Sequence, residues 1–217
     1  MEHVGLFAAR DKPKRILALG AHSDDIEIGC GGTILRLAAE RCGLEVLWVV
    51  FSSTAERGAE ARASADAFLR GIPNARVIVR DYRDRFLPYS GNEIKDEFDA
   101  LKEEFSPDLI FTHYRDDRHQ DHRLLSELTW NTWRDHLILE YEIPKYDGDF
   151  GSPNFFASLP MSTVDQKVDL LLKHFPSQAE RRWFTADLFR AVARIRGMEC
   201  NAPEGFAEGF YGRKAHF

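Results

Sequence analysis

The chain has 217 residues, 44% hydrophobic, 12% aromatic and 29% charged, which predicts one folded domain with a sizeable core rather than a disordered chain. A formal net charge of −6 excludes a general nucleic-acid or anionic-membrane binder, because either needs surplus Lys and Arg to neutralise phosphate. Cys30, Cys42 and Cys200 form neither an even set nor a Cys-x-x-Cys pair, the stretch 1–14 has no apolar signal core and no run is long enough to cross a bilayer, so a cytoplasmic location with reduced thiols is expected.

Four times in the first 140 residues, a short β-branched run is followed by a longer segment with helical spacing. The runs predict strands over 15–21, 44–52, 75–81 and 108–113. The segments between them predict helices over 31–41, 56–70 and 92–105, with another after His119. Gly43, Gly71 and Pro107 punctuate the joins. This alternation predicts an α/β fold with a mostly parallel sheet and crossover helices.

Beyond Leu137 the pattern changes. Strands are expected over 137–143 and 154–159, around a Pro/Gly/Asp loop at 144–153. Helices follow over 163–175 and 178–196, where Val168, Leu171 and Leu172, then Leu188, Ala191, Val192 and Ile195, repeat at three and four. Residues 1–136 thus read as the core of a single 1–217 domain, and 137–217 as an extension that shapes the substrate side. Trp48, Trp130, Trp133 and Trp183 fall in these patterns as packing residues, and His136 and His174 as surface or helix-terminal ones.

Two polar clusters interrupt the apolar framework. The first strand runs abruptly into His22-Ser23-Asp24-Asp25-Ile26-Glu27, and the fourth into His113-Tyr114-Arg115-Asp116-Asp117-Arg118-His119-Gln120-Asp121-His122. Ligands bind outside the carboxyl ends of strands in open α/β sheets, and parallel strands bring those ends to one edge. The two clusters are therefore expected to meet around one divalent ion. His and Asp without Cys suit zinc with an open position for water, although non-haem iron shares the ligand set.

At this point the residues resemble a known family. His22-Ser23-Asp24-Asp25-Ile26-Glu27 is similar to the His-x-Asp-Asp-x-Glu signature of the PIG-L/LmbE-like deacetylases, and His119-Gln120-Asp121-His122 to their His-x-Asp-His. Gly31-Gly32-Thr33, Pro153-Asn154, Lys167, Ser177-Gln178, Arg196-Gly197 and the ending Ala207-Glu208-Gly209-Phe210 extend the likeness over most of the chain. Ser23 and Gln120 stand where the family usually has proline. The resemblance implies a Rossmann-like three-layer sandwich and a zinc-dependent enzyme that removes N-acetyl groups from glucosamine-containing substrates. It implies His22, Asp25 and His122 as ligands of one zinc ion, Asp24 as general base, His119 as a protonated imidazole facing the oxyanion, and Asp121 as the carboxylate orienting it.

The expected substrate is an N-acetylated amino sugar or a conjugate of one, and oligomerisation is left open. Arg57 and Arg62, in a second loop that follows the family pattern only in part, and Lys145, in the aromatic and acidic stretch 141–149, are the expected substrate contacts. His113 and Asp117 stand near enough to the site to support the ligands. Two rival readings remain. Asp116 and Asp117 fit a phosphoester hydrolase with paired metals, and Gly29 to Gly32 fit a phosphate-binding loop of a non-catalytic nucleotide or sugar binder.

Overall fold

A computed structural model describes residues 14–40 and 43–215. Cys42 and the expected helix end at Arg41 lie outside the described residues, as does nearly all of the polar stretch 1–14. The strands are β1 Lys14–Gly20, β2 Leu44–Ser52, β3 Asn74–Tyr82, β4 Leu109–His113, β5 Leu137–Tyr141, β6 Phe155–Ser158 and β7 Ala207–Gly212. The helices are α1 Asp25–Glu40, α2 Ala55–Phe68, α3 Gly91–Glu104, α4 Gln120–Thr132, α5 Met161–His174 and α6 Ala186–Glu199. No helix among the described residues is long and apolar enough to cross a membrane.

The strands form one sheet in the order β3-β2-β1-β4-β5-β7-β6. The first five run parallel, and β7 lies antiparallel between β5 and β6. Burial on both faces explains why β1 reads as an unbroken apolar run. Ile16 and Ala18 face a core shared with α1, α2, α5 and α6, while Leu17 and Leu19 face one shared with α3 and α4. The result is the α/β fold with a mostly parallel sheet that the alternation predicts, in the three layers that the family resemblance implies.

The chain order of the sheet positions the site. From β1 the chain winds outward through β2 to β3, then returns to place β4 on the opposite side of β1. The two strands that lead into the polar clusters are therefore neighbours, with Ala18 in register with Phe111. A crevice opens at such a reversal of strand order.

Three local expectations are corrected. Helix α1 begins at Asp25, not at 31, because its glycines lie inside the helix where neighbours crowd its backbone. A Cβ at Gly29 would come within 2.1 Å of the Tyr141 ring, and one at Gly32 within 2.6 Å of Leu159. These glycines are packing residues, which removes the phosphate-loop reading. Helix α6 begins at Ala186, where Thr185 Oγ1 caps the Leu188 N–H, and turns occupy most of the stretch before it. Strand β7 was not foreseen, since Glu208 and two glycines obscure its alternation.

Glu208 is the reason β7 sits where it does. Its carboxylate accepts from the Gly32 and Thr33 N–H groups, the Thr33 hydroxyl and Lys167 Nζ, the last at 2.6 Å. Lys167 also donates to the Ile28 carbonyl at 2.6 Å, so one buried ion pair joins α1, α5 and β7. Removing one partner of such a pair leaves an uncompensated charge. Glu208→Ala is expected to lower stability by about 3–5 kcal/mol, measured by denaturant unfolding; a loss under about 1 kcal/mol would show that the pair contributes little.

Candidate metal centre

Both polar clusters start helices. Asp25 opens the first turn of α1 and His122 lies in the first turn of α4, so the positive helix ends favour the carboxylates gathered there. His22 occupies the turn between β1 and α1. His22, Asp24, Asp25, Asp121 and His122 are all buried, and His119 is half-buried.

Three of these residues converge closely. His22 Nδ1 lies 3.1 Å from His122 Nε2 and 3.2 Å from Asp25 Oδ2, and the last two atoms are 3.5 Å apart. A tetrahedral zinc ion with bonds of about 2.0–2.2 Å needs ligand edges of about 3.3–3.6 Å. The donor types and spacings therefore fit zinc.

The far side of each imidazole is also fixed. His122 Nδ1 lies 2.9 Å from Asp117 Oδ2, and His22 Nε2 lies 3.2 Å from Asp121 Oδ2 and 3.1 Å from Asp84 Oδ1. A carboxylate on one ring nitrogen sets the tautomer and turns the other nitrogen toward the metal. His113 completes the packing. Its ring stacks on that of His122 at 3.9 Å, and its Nε2 accepts the Ala21 N–H at 2.9 Å, tying β4 to the turn after β1.

Electrostatics sharpen these states. Burial opposes ionisation of Asp25, but the His122, His22 and His113 imidazoles hold its carboxyl well below the usual range. Burial, aided by His113, pushes His122 down to about 3, leaving it neutral and able to bind a metal. For His22, burial is outweighed by Asp25, Asp121 and Asp84, which hold its pKa well above the ordinary imidazole value. A metal must displace a proton there. Burial raises Asp24 although Arg57 Nη2 donates to its Oδ1 at 2.7 Å.

Several sequence expectations change in detail. Asp121 does not orient the His119 ring. Its carboxylate accepts the Arg85 and Leu87 N–H groups, at 2.7 and 3.1 Å, and faces His22. His119 instead caps α4, its Nδ1 accepting the Asp121 N–H at 3.2 Å. That bond leaves Nε2 as the free ring nitrogen, and burial followed by the His22 charge lowers the pKa of the ring, which favours the neutral imidazole over the protonated one that the resemblance implies. Arg62 is exposed on α2 and donates to the Val79 carbonyl at 3.1 Å, outside the cluster. Asp116 is exposed and faces Arg213, while Asp117 serves His122, so neither forms the paired-metal bridge.

Lys145 reaches the site from the loop joining β5 to β6. Its Nζ donates to Asp117 Oδ2 at 2.7 Å and to Asp149 Oδ1 at 2.8 Å. It thus supports the carboxylate that aims His122. Lys145→Met is expected to lower zinc affinity or kcat about 10- to 100-fold, measured by metal titration and steady-state kinetics; a change confined to KM would return Lys145 to direct substrate contact.

Asp84 was missed altogether. It follows β3 without any motif around it, in a loop where Arg85 has a φ of 67°, a costly conformation for a non-glycine residue. A left-handed residue is not legible in an ordinary Arg-Asp-Arg sequence.

Fold and site together define an α/β protein with a buried His/Asp centre of metal-binding type at the switch point of a parallel sheet. The profile of the GlcNAc-PI de-N-acetylase family, PIG-L, matches residues 17–133, more than half of the chain. The chain belongs to this deacetylase family. It is 30% identical over 182 residues to the uncharacterized deacetylase YaiS of Escherichia coli K12, covering 78% of this chain and 95% of that protein. The fold matches that of N,N′-diacetylchitobiose deacetylase from Pyrococcus horikoshii with a TM-score of 0.72 at 23% identity, over 96% of this chain and 88% of the other. It also matches GalB, the 4-carboxy-2-hydroxymuconate hydratase of Pseudomonas putida KT2440, with a TM-score of 0.73 at 18% identity, over 94% and 98%. Shared fold alone therefore does not choose the reaction.

Proposed function

We propose that the protein is a zinc-dependent N-deacetylase that hydrolyses the acetamide of an N-acetylated amino sugar. The observation that carries this reading is the triangle of His22 Nδ1, Asp25 Oδ2 and His122 Nε2, with edges of 3.1–3.5 Å, beside a carboxylate outside the triangle, Asp24. The family description and the chitobiose deacetylase neighbour support a glucosamine-type sugar.

Held by those three residues, zinc would supply Lewis acidity for the attacking water and the acyl oxygen. Asp24 cannot join its neighbour Asp25 on the same ion without strain, so its carboxylate is left to take the proton of the water and return it to the departing nitrogen. Burial raises the affinity of Asp24 for that proton. Arg57 keeps Asp24 aimed, and of the three basic residues expected at the substrate its placement fits best. The Nε2–H of His119 donates to the oxygen that becomes negative in the tetrahedral state, and fixing the ring through Nδ1 preorganises that donor.

The test is incubation of the zinc-loaded protein with N-acetylglucosamine, diacetylchitobiose and UDP-N-acetylglucosamine, with both acetate and free amine measured. Equimolar release from at least one sugar is expected. No release from any of them, alongside hydration of an unsaturated dicarboxylic acid, would move the chain to the chemistry of its hydratase neighbour.

A further inference from the structure

Aromatic side chains are distributed unevenly over the surface. Among the described residues the exposed ones are Phe86, Tyr89, Tyr146 and Phe150, and all four stand in two segments bonded to carboxylates of the metal centre. The segment 84–90 donates the Leu87 N–H to Asp121, which faces His22. The segment 145–150 reaches Asp117, which faces His122, through Lys145 Nζ. The two segments therefore flank the centre, one on the side of each imidazole. Exposed aliphatic side chains such as Met161 and Met198 lie elsewhere, on α5 and α6.

Within each segment one ring is held and one is free. Arg83 lies over the Phe86 ring at 3.7 Å, and the buried Arg196 lies 5.6 Å from the Phe150 ring. Tyr89 and Tyr146 are 81% and 77% exposed. The Tyr89 ring meets only that of Phe86, at 5.7 Å, and the Tyr146 ring has no hydrogen bond or ring contact among the described residues. The backbones that carry them are nonetheless fixed. Leu87 is buried, and the Asp149 carboxylate accepts from Lys145 Nζ and from the Arg118 N–H, both at 2.8 Å, across the turn that bears Tyr146. An amphipathic ring presented on a fixed backbone makes contact at a low cost in entropy.

We propose, on the strength of the amino-sugar reading above, that Tyr89 and Tyr146 are platforms for two further sugar rings, one on each side of the acetamido sugar. The substrate is then a neutral oligosaccharide rather than a free monosaccharide. A pyranose has a face of C–H groups that packs on an aromatic ring. Charge in the two segments disfavours the diphosphate of a nucleotide sugar, because Asp84 and Asp147 are exposed there. Arg57, Arg83 and Arg85 are engaged by Asp24, the Phe86 ring and Asp84.

Calorimetric titration of zinc-loaded Asp24→Asn protein, in which the acetamide persists, with N-acetylglucosamine, N,N′-diacetylchitobiose and triacetylchitotriose tests the platforms by binding alone. Affinity is expected to rise at least about tenfold from monomer to trimer. Adding Tyr89→Ala or Tyr146→Ala should lower trimer affinity about fivefold and leave that of the monomer within about twofold, whereas Tyr89→Trp and Tyr146→Trp should keep both. Equal affinity for monomer and trimer overturns the proposal, as does an alanine variant that binds the trimer normally or loses both sugars alike. Tighter binding of UDP-N-acetylglucosamine than of the trimer would overturn it too, by assigning the rings to a nucleotide. Length-dependent binding that needs both tyrosines, with no acetate released by the intact chain, would instead reject the proposed reaction and leave the platforms standing.

Discussion

Asp24→Asn is expected to lower kcat about 1,000-fold, within the 10²- to 10⁴-fold range of a general base, while the protein still binds zinc. The amide keeps the shape of the side chain and an oxygen for Arg57, whose Nη2 stands 2.7 Å from Asp24 Oδ1, but it cannot accept the proton of water. The ion should stay because Asp25, not Asp24, points an oxygen at both His22 and His122. Zinc content and steady-state rates measured on the same preparation decide the matter. Near-normal turnover removes Asp24 from the base role, and loss of zinc moves it into the ligand set.

His122→Ala is expected to weaken zinc binding by more than about 100-fold, since removal of a supporting partner alone costs about 10- to 100-fold. Activity should fall to background with it. The imidazole occupies one corner of the triangle and is aimed by Asp117 at 2.9 Å. Loss of its ring also removes the partner stacked on His113, so circular dichroism should accompany the metal measurement. A folded variant with unchanged zinc affinity would contradict the ligand assignment.

Much of this was legible from the chain because local chemistry fixes it. Apolar runs such as Ile16 to Leu19 specify strands buried on both faces, and the segments between them specify crossovers, which together dictate a parallel sheet. Polar clusters at the carboxyl ends of two such strands can only lie on one edge of that sheet, so the meeting of the two clusters followed from periodicity and residue type, while the choice of His22, Asp25 and His122 within them came from the resemblance to the deacetylase family. What tertiary structure alone decided was which atoms face each other. The ring of His119 turned to cap its own helix, Asp121 turned to His22, and Lys145 turned to Asp117, because each buried polar group takes the nearest partner the packed backbone presents. Asp84 joined the centre through a left-handed turn at Arg85, and Glu208 drew an unforeseen strand into the sheet by binding the backbone of α1. Contacts between residues far apart in sequence depend on packing that no short stretch of sequence encodes.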